Sequence, residues 1–128
     1  MTAHQNADMQ AEVEARWGDT EAYKESSRRT KSYTADDWAK INAELESIET
    51  AFAEALDAGE SADGPRALEL AEQARQHIDR WYYPCTPAMH AGVAEMYTSD
   101  ARFRAHYDDR REGLAEFVSA AIQANASA

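Results

Sequence analysis

The side chains that could best take part in catalysis or ligand binding lie close together in residues 76–97, QHIDRWYYPCTPAMHAGVAEMY. Cys85 is the only cysteine of the chain and stands between His77 and His90. A helix that begins directly after Cys85 would lower the pKa of its thiol, and a nearby imidazole could then make it a nucleophile. An isolated cysteine more often packs as a small apolar side chain, and we prefer this second interpretation.

The histidines do not predict a metal site. The spacing of His77, His90 and His106 matches no zinc-binding pattern, and the second cysteine that such patterns require is missing. The sequence also contains no glycine-rich phosphate loop, no G-x-S-x-G motif and no H-E-x-x-H motif. We therefore expect no metal, no cofactor and no enzymatic activity.

Three consecutive aromatic residues, Trp81, Tyr82 and Tyr83, precede the cysteine. Neighbouring side chains on a helix point about 100° apart, so these three cannot all face one core. Tryptophan and tyrosine combine a large apolar face with a polar tip, which suits the binding of flat, partly polar molecules. The cluster indicates an aromatic cleft, although ordinary packing explains any one of these residues taken alone.

The composition and the apolar periodicity predict an all-α domain. Glycine and proline are scarce, and no stretch alternates long enough to form a strand. Residues 34–58 carry one apolar stripe after Thr34, which forms an approximate capping box with Asp37. Pro65 and the pair Thr86–Pro87 begin later helices. We predict six or seven helices in one irregular, globin-like domain, with a core over residues 34–126.

The charge balance excludes several classes of partner. The chain of 128 residues has a formal net charge of −11, which disfavours direct binding to nucleic acids and to anionic membranes. A single cysteine fits a reducing, cytoplasmic location, and no apolar stretch has the length of a signal peptide or a membrane span. Residues 1–33 lack a convincing apolar stripe and are expected to be loosely held.

Several segments in fixed order resemble the TipAS family of antibiotic-recognition domains, which are attached to MerR-type transcription regulators. These segments are WGDTEAYKES, SYTADDW, QHIDRWYYPCTPAMHAGVAEMYTSDARF and GLAEFVSAAIQANA. The motifs that carry most of the resemblance are W-G-x-T-x-A-Y, C-x-x-x-M-H and G-x-x-E-M-Y. The resemblance implies a globin-like all-α fold that binds a hydrophobic antibiotic, typically a thiopeptide, between helices. It also implies that residues 1–33 act as a mobile lid.

The sequence departs from this family pattern in two respects. It contains no DNA-binding winged helix and no dimerising coiled coil, so we expect a monomer that reaches DNA only through a fused or missing MerR domain, or that sequesters drug by itself. The resemblance also places Gly92 where thiopeptide-binding members can carry a drug-trapping cysteine, while Cys85 matches a different family cysteine. Covalent and reversible binding therefore both stay open.

These considerations place the expected cleft between the Trp38 helix, the joint at residues 83–97 and a lid of residues 17–33. The expected ligand contacts are Trp17, Tyr23, Trp38, Trp81, Tyr83, Met89, His90 and Tyr97. Two other functions remain as alternatives. One is a protein–protein module whose exposed aromatic residues meet a partner helix, and the other is an enzyme that uses Cys85 with His77 or His90.

Overall fold

The computed structural model describes residues 20–127, which form six α-helices and, within that range, no strand. The helices are α1 (Glu21–Thr30), α2 (Ala35–Asp57), α3 (Pro65–Trp81), α4 (Pro87–Ser99), α5 (Ala101–Asp108) and α6 (Leu114–Ala126). This architecture confirms the predicted all-α class. None of these six helices is both long and apolar enough to cross a membrane.

The ends of α2 follow from its terminal residues. The Thr34 hydroxyl accepts a hydrogen bond from the backbone N–H of Asp37 at 3.2 Å, and the Asp37 carboxylate accepts one from the backbone N–H of Thr34 at 3.0 Å. This reciprocal pair is the capping box that the sequence predicted. After the helix, Gly59 has φ +76°, a left-handed conformation that glycine adopts without steric cost.

Proline residues set the beginnings of α3 and α4. Pro65 and Pro87 stand in the first turn of their helices, where the missing N–H would have no helical partner. Before α4, the Thr86 hydroxyl accepts a hydrogen bond from the backbone N–H of Met89 at 3.1 Å. The five residues between the two helices, 82–86, connect them, and we call these five residues the joint from here on. The joint at residues 83–97 expected from the sequence was longer, and most of it is helix α4.

Helix α6 lies at the centre of the core. It contacts α2, α3, α4 and α5, and most of its residues are buried. The rings of Phe52 on α2 and Phe117 on α6 meet edge to face with centroids 6.3 Å apart. The buried residues of this core are Ile48, Phe52, Ala53, Ala55, Ala67, Leu70, Ala71, Ala94, Tyr107, Leu114, Ala115, Phe117, Val118, Ala121 and Ile122.

Two hydrogen bonds attach α4 to α6. The Ser119 hydroxyl donates to the Ala94 carbonyl at 2.9 Å, and the Gln123 side-chain amide donates to the Ala91 carbonyl at 2.8 Å. Ser119 is itself buried, so its hydroxyl gains its partner where water cannot easily replace it. These bonds fix which face of α4 is turned to the core and which is turned away.

The first helix of the described chain lies at the edge of the fold. None of the residues of α1 is buried, and the helix packs only lightly on α3. The Arg29 guanidinium donates to the Asp79 carbonyl at 2.8 Å, and the Tyr33 hydroxyl donates to the Trp81 carbonyl. The predicted lid thus includes a helix over residues 21–30. Residues 1–19 of that lid, with Trp17, lie outside the described residues.

The capping box generates a prediction about stability. Replacing Thr34→Ala removes the hydroxyl acceptor and leaves a backbone N–H of the first turn without its partner, so the free energy of unfolding should fall by about 1 kcal/mol. Urea denaturation followed by circular dichroism measures this change. Lys40→Ala, an exposed substitution on the same helix, serves as the control and should change stability by less than about 0.5 kcal/mol. Equal effects from both substitutions would contradict the role of the cap.

Candidate ligand-binding site

A cavity of about 620 Å³ opens between α1, the end of α3, the joint, α4 and the start of α5. Its volume lies within the range of roughly 300–1,000 Å³ that is usual for small-molecule sites. The lining residues are Thr20, Ala22, Tyr23, Ser26, Ile78, Tyr82, Tyr83, Met89, Gly92, Val93, Met96, Tyr97 and Phe103. None of these side chains carries a charge at neutral pH, so the cavity suits an uncharged, largely apolar molecule.

Helix α4 supplies the largest part of the cavity wall. Met89, Gly92, Val93, Met96 and Tyr97 all line the cavity, and their spacing of three and four residues places them on one helical face. Methionine side chains are flexible and polarisable, so they adapt to the shape of a bound ring. This wall is therefore an apolar surface, and Gly92 in its middle adds no side chain to it.

Four tyrosines line the cavity and carry hydroxyl groups, as do Thr20 and Ser26. Tyr23 comes from α1, Tyr82 and Tyr83 from the joint, and Tyr97 from α4. Burial raises the pKa of Tyr82, Tyr83 and Tyr97, and that of Tyr97 reaches about 12. The phenols of Tyr82 and Tyr83 therefore remain protonated at neutral pH and can donate hydrogen bonds to a ligand, whereas the Tyr97 hydroxyl forms a hydrogen bond with Tyr107.

Hydrogen bonds from α3 hold the joint that presents two of these tyrosines. The Asp79 carboxylate accepts from the backbone N–H of Cys85 at 2.8 Å, and the Arg75 guanidinium donates to the Cys85 carbonyl at 2.7 Å. Glu72 in turn pairs with Arg75, and this hydrogen bond is the main reason that the pKa of Glu72 falls to about 2. The backbone at residue 85 is thus fixed on both sides.

The thiol of Cys85 does not reach the cavity. Its residue is 1 % exposed, and burial is the main cause that raises the pKa of the thiol to about 11. The thiol donates a hydrogen bond to the Thr86 carbonyl, with 3.8 Å between sulfur and oxygen. His77 pairs with Glu44 instead, and the ring of His90 has no hydrogen-bond partner. The structure thus shows a buried cysteine without a hydrogen bond to an imidazole, which matches the packing interpretation.

Four of the expected contacts come together in the cavity, namely Tyr23, Tyr83, Met89 and Tyr97. Trp38 and Trp81 do not line it, which corrects the placement of the cleft beside the Trp38 helix. Both indole rings pack edge to face on Tyr33, with centroid distances of 5.6 Å and 5.8 Å. The Trp81 ring also donates to the Glu44 carboxylate at 3.3 Å, so the two tryptophans belong to the contact between α2 and α3.

His90 also lies outside the cavity, although its neighbour Met89 lines it. The side chains of adjacent helical residues point about 100° apart, so His90 shares the face of Ala94, which is turned to the core. The imidazole is 1 % exposed, and neither ring nitrogen has a hydrogen-bond partner. Burial, with a smaller contribution from the charge of Arg75, lowers the pKa of His90 to about 4.

Several cavity residues were missing from the expected contacts. Tyr82 was not among those contacts, although it belongs to the aromatic triplet, and neither was Phe103. Met96 and Val93 could have been found, because they follow Met89 at helical spacing on the same face. The contribution of Thr20, Ala22 and Ser26 depends on how α1 packs, and no sequence pattern indicated it.

A helical domain that surrounds a neutral, tyrosine-rich cavity belongs to the class of small-molecule-binding domains. More specifically, the chain belongs to the TipAS antibiotic-recognition domain family, because residues 9–125 match the model of that family.

Relatives of the chain are transcription regulators and antibiotic-binding domains. The HTH-type transcriptional activator TipA of Streptomyces coelicolor is 44% identical over 115 residues, which cover 90% of this chain and 46% of the relative. The activator mta of Bacillus subtilis is 35% identical over 102 residues, which cover 80% of this chain and 39% of the relative. The chain thus spans less than half the length of these two regulators.

Two solved structures share the fold. TipAS in complex with nosiheptide, from a thiopeptide antibiotic multidrug resistance system of Streptomyces lividans, superposes with a TM-score of 0.86 at 42% identity and covers 94% of this chain and 85% of that chain. The antibiotic-binding domain of a TipA-class multidrug resistance regulator has a TM-score of 0.65 at 41% identity and covers 70% of this chain and 96% of that chain.

The buried imidazole of His90 predicts a loss of stability in mild acid. Between pH 6.5 and about 4 the unfolded chain binds a proton at His90 that the folded protein does not bind. The free energy of unfolding should therefore fall by roughly 3 kcal/mol as the pH falls through this window. Glu72 has a folded pKa of about 2 and an unfolded pKa of 4.5, so its contribution to the free energy of unfolding is lost only as the pH falls below 4.5.

Thermal and urea unfolding at pH 7.5, 6.5, 5.5 and 4.5 measure this dependence. The His90→Leu variant, which cannot bind the proton, should show a flatter profile than the wild-type chain above pH 4.5. Parallel profiles for the two proteins would show that His90 does not cause the loss of stability.

Proposed function

We propose that this chain recognises bulky, uncharged antibiotics of the thiopeptide class in the cavity between α1, the joint and α4. The single observation that carries the proposal is the cavity itself, which is large, mostly apolar and lined by four tyrosines. Thiopeptides are uncharged over most of their surface and consist of aromatic heterocycles and amides. Such molecules can stack on tyrosine rings and accept hydrogen bonds from phenol O–H groups.

The comparison with a bound relative supports this choice of ligand. The TipAS structure in complex with nosiheptide shares 42% of its sequence with this chain and most of its fold. We propose that Tyr23, Tyr83, Met89 and Tyr97 contact the ligand, and that Tyr82 and Phe103 extend the same surface. Trp17 remains a proposed contact from the segment before α1, which would complete the proposed lid of residues 1–33.

The biological role that we propose is effector sensing for a MerR-type transcription regulator, with sequestration of drug as the alternative role. The relatives TipA and mta are HTH-type activators. A net charge of −11 disfavours contact between this chain and DNA, so DNA binding would belong to a separate domain. Regulation of transcription implies a location in the cytoplasm. We propose no catalytic step, because Cys85 is buried and lacks a base.

The structure favours a small molecule over a protein partner. A docking helix would need a broad exposed apolar surface, yet within residues 20–127 Met89 is the one large apolar side chain that is well exposed. That side chain lies at the cavity, and the aromatic residues of the cavity are half-buried or buried. A concave site of this kind is filled by a compact molecule.

A pair of aromatic substitutions tests the location of the site. Tyr83→Ala removes a ring that lines the cavity, and the Kd for nosiheptide should rise at least about tenfold, as expected for the loss of an aromatic anchor. Trp38→Ala removes a ring outside the cavity and should leave the Kd within about twofold. Isothermal titration calorimetry measures both values, and circular dichroism verifies that both variants are folded.

The opposite ranking of the two variants would place the site beside α2 rather than at the joint. A wild-type chain that binds neither nosiheptide nor thiostrepton would contradict the proposed function itself.

The burial of Cys85 predicts reversible binding. The cavity carries no thiol among its described lining residues, and the pKa of about 11 keeps the Cys85 thiol protonated at neutral pH. Intact-mass spectrometry after incubation with nosiheptide should therefore show the unmodified chain, and dialysis should remove the ligand. An adduct that disappears in Cys85→Ala would contradict this expectation and would show that the joint opens to expose the thiol.

A further inference from the structure

The sulfur-containing side chains of the described residues differ widely in their access to solvent. They belong to Cys85, Met89 and Met96, whose exposed fractions are 1 %, 39 % and 8 %. Oxidation of sulfur by a peroxide requires access to the sulfur, and for a thiol it also requires the thiolate form. Burial raises the pKa of the Cys85 thiol to about 11, so this thiol meets neither condition at neutral pH. Met89 is therefore the sulfur that a peroxide reaches most readily within residues 20–127.

Met89 also stands where a change of polarity would affect the cavity. It is the third residue of α4, and it lines the cavity on the same helical face as Val93 and Met96. None of these three side chains carries a hydrogen-bond donor, and a thioether is only a weak acceptor. A strongly polar atom added to Met89 would therefore stand on an apolar wall, at the place where the cavity meets the solvent.

Oxidation of a thioether adds such an atom. The sulfur attacks the outer oxygen of a hydroperoxide, an S=O bond forms and the O–O bond breaks, and the leaving oxygen departs as an alcohol after taking up the hydroperoxide proton. The sulfur is oxidised by two electrons and the peroxide is reduced by two. The product, methionine sulfoxide, is polar, and methionine sulfoxide reductases convert it back to methionine.

A sulfoxide at position 89 would oppose the binding of an apolar ligand. Because the Met89 side chain is exposed in the free protein, water would hydrate the sulfoxide oxygen there. A ligand that covers this side chain removes that water, and the next cavity residues of the same face, Gly92 and Val93, offer no side-chain donor in its place. A buried acceptor without a partner costs free energy, and this cost would appear as lost affinity.

We propose that Met89 is a redox modification site, at which a hydroperoxide forms methionine sulfoxide and thereby weakens the binding of apolar ligands to the cavity. The inference rests on the proposed function, because the affinity that falls is the affinity for the same antibiotic ligands. Binding and oxidation oppose each other, since a ligand that covers Met89 also shields its sulfur from the peroxide. The reductases would make the loss of affinity reversible.

Controlled oxidation of the wild-type chain tests the proposal. The chain is treated with tert-butyl hydroperoxide, and peptide mass spectrometry measures the oxygen gained at each sulfur. Met89 should be oxidised at least about tenfold faster than Met96, Cys85 should stay unmodified, and saturating nosiheptide should slow the oxidation of Met89. After the peroxide is removed, calorimetric titration should give a Kd for nosiheptide at least about fivefold above that of the untreated chain. Treatment with methionine sulfoxide reductases A and B should restore the original Kd.

Two leucine variants identify the methionine that is responsible. Met89→Leu keeps the wall apolar but has no sulfur at this position, and Met96→Leu is the matched change on the same face. Each variant is compared with its own untreated sample, so an effect of the substitution itself on the Kd cancels. Peroxide should leave the Kd of Met89→Leu unchanged and should raise that of Met96→Leu as much as in the wild-type chain. Both variants retain Met1 and Met9, which lie outside the described residues.

Three results would overturn the proposal. Met96 could be oxidised as fast as Met89, the Met89 sulfoxide could form without any change of the Kd, or Met89→Leu could lose as much affinity as the wild-type chain. Each of these results leaves the proposed function intact, because the untreated chain still binds nosiheptide. If the untreated chain binds no nosiheptide, the proposed function fails and this inference fails with it, even where Met89 is oxidised selectively.

Discussion

Two side chains of α3 hold the backbone of Cys85, and the cavity depends on this attachment. Asp79 accepts from its N–H while Arg75 donates to its carbonyl, so both polar groups of one peptide segment are satisfied by the helix that precedes the joint. The chain therefore leaves α3, turns over five residues and enters α4 at a fixed position. Tyr82 and Tyr83 lie on this turn, so the two hydrogen bonds to Cys85 also hold the cavity wall that these tyrosines form.

Helix α4 separates the core from the cavity, and it does so with side chains that are close neighbours in sequence. His90 and Ala94 face the core, where Ser119 and Gln123 of α6 hold the carbonyl oxygens of the same helix. Met89, Met96 and Tyr97 line the cavity. One helix thus provides both the attachment to the core and a wall of the cavity. This arrangement places the site on an element whose position is set by core packing rather than by a loop.

The opposite wall of the cavity is built differently. Helix α1 contributes Tyr23 but has no buried residue, and its attachment to α3 includes the hydrogen bond from Arg29 to the Asp79 carbonyl. Because α1 makes few buried contacts, moving it should cost less free energy than moving α4. The proposed site therefore combines a firm wall with a weakly held one.

The sequence by itself determined the helical class, the cap at Thr34, the proline starts at Pro65 and Pro87, and the location of the aromatic joint. These features are local, because they depend on side chains within one or two turns of each other. Only the tertiary structure decided which aromatic residues face the cavity. Trp81 and Tyr82 are adjacent, yet one packs on Tyr33 and the other lines the cavity, since the choice depends on the rotation of α3 against α1 and α2. Helix rotation is set by the packing of all neighbours together, and apolar periodicity cannot specify it when several faces of a helix are covered.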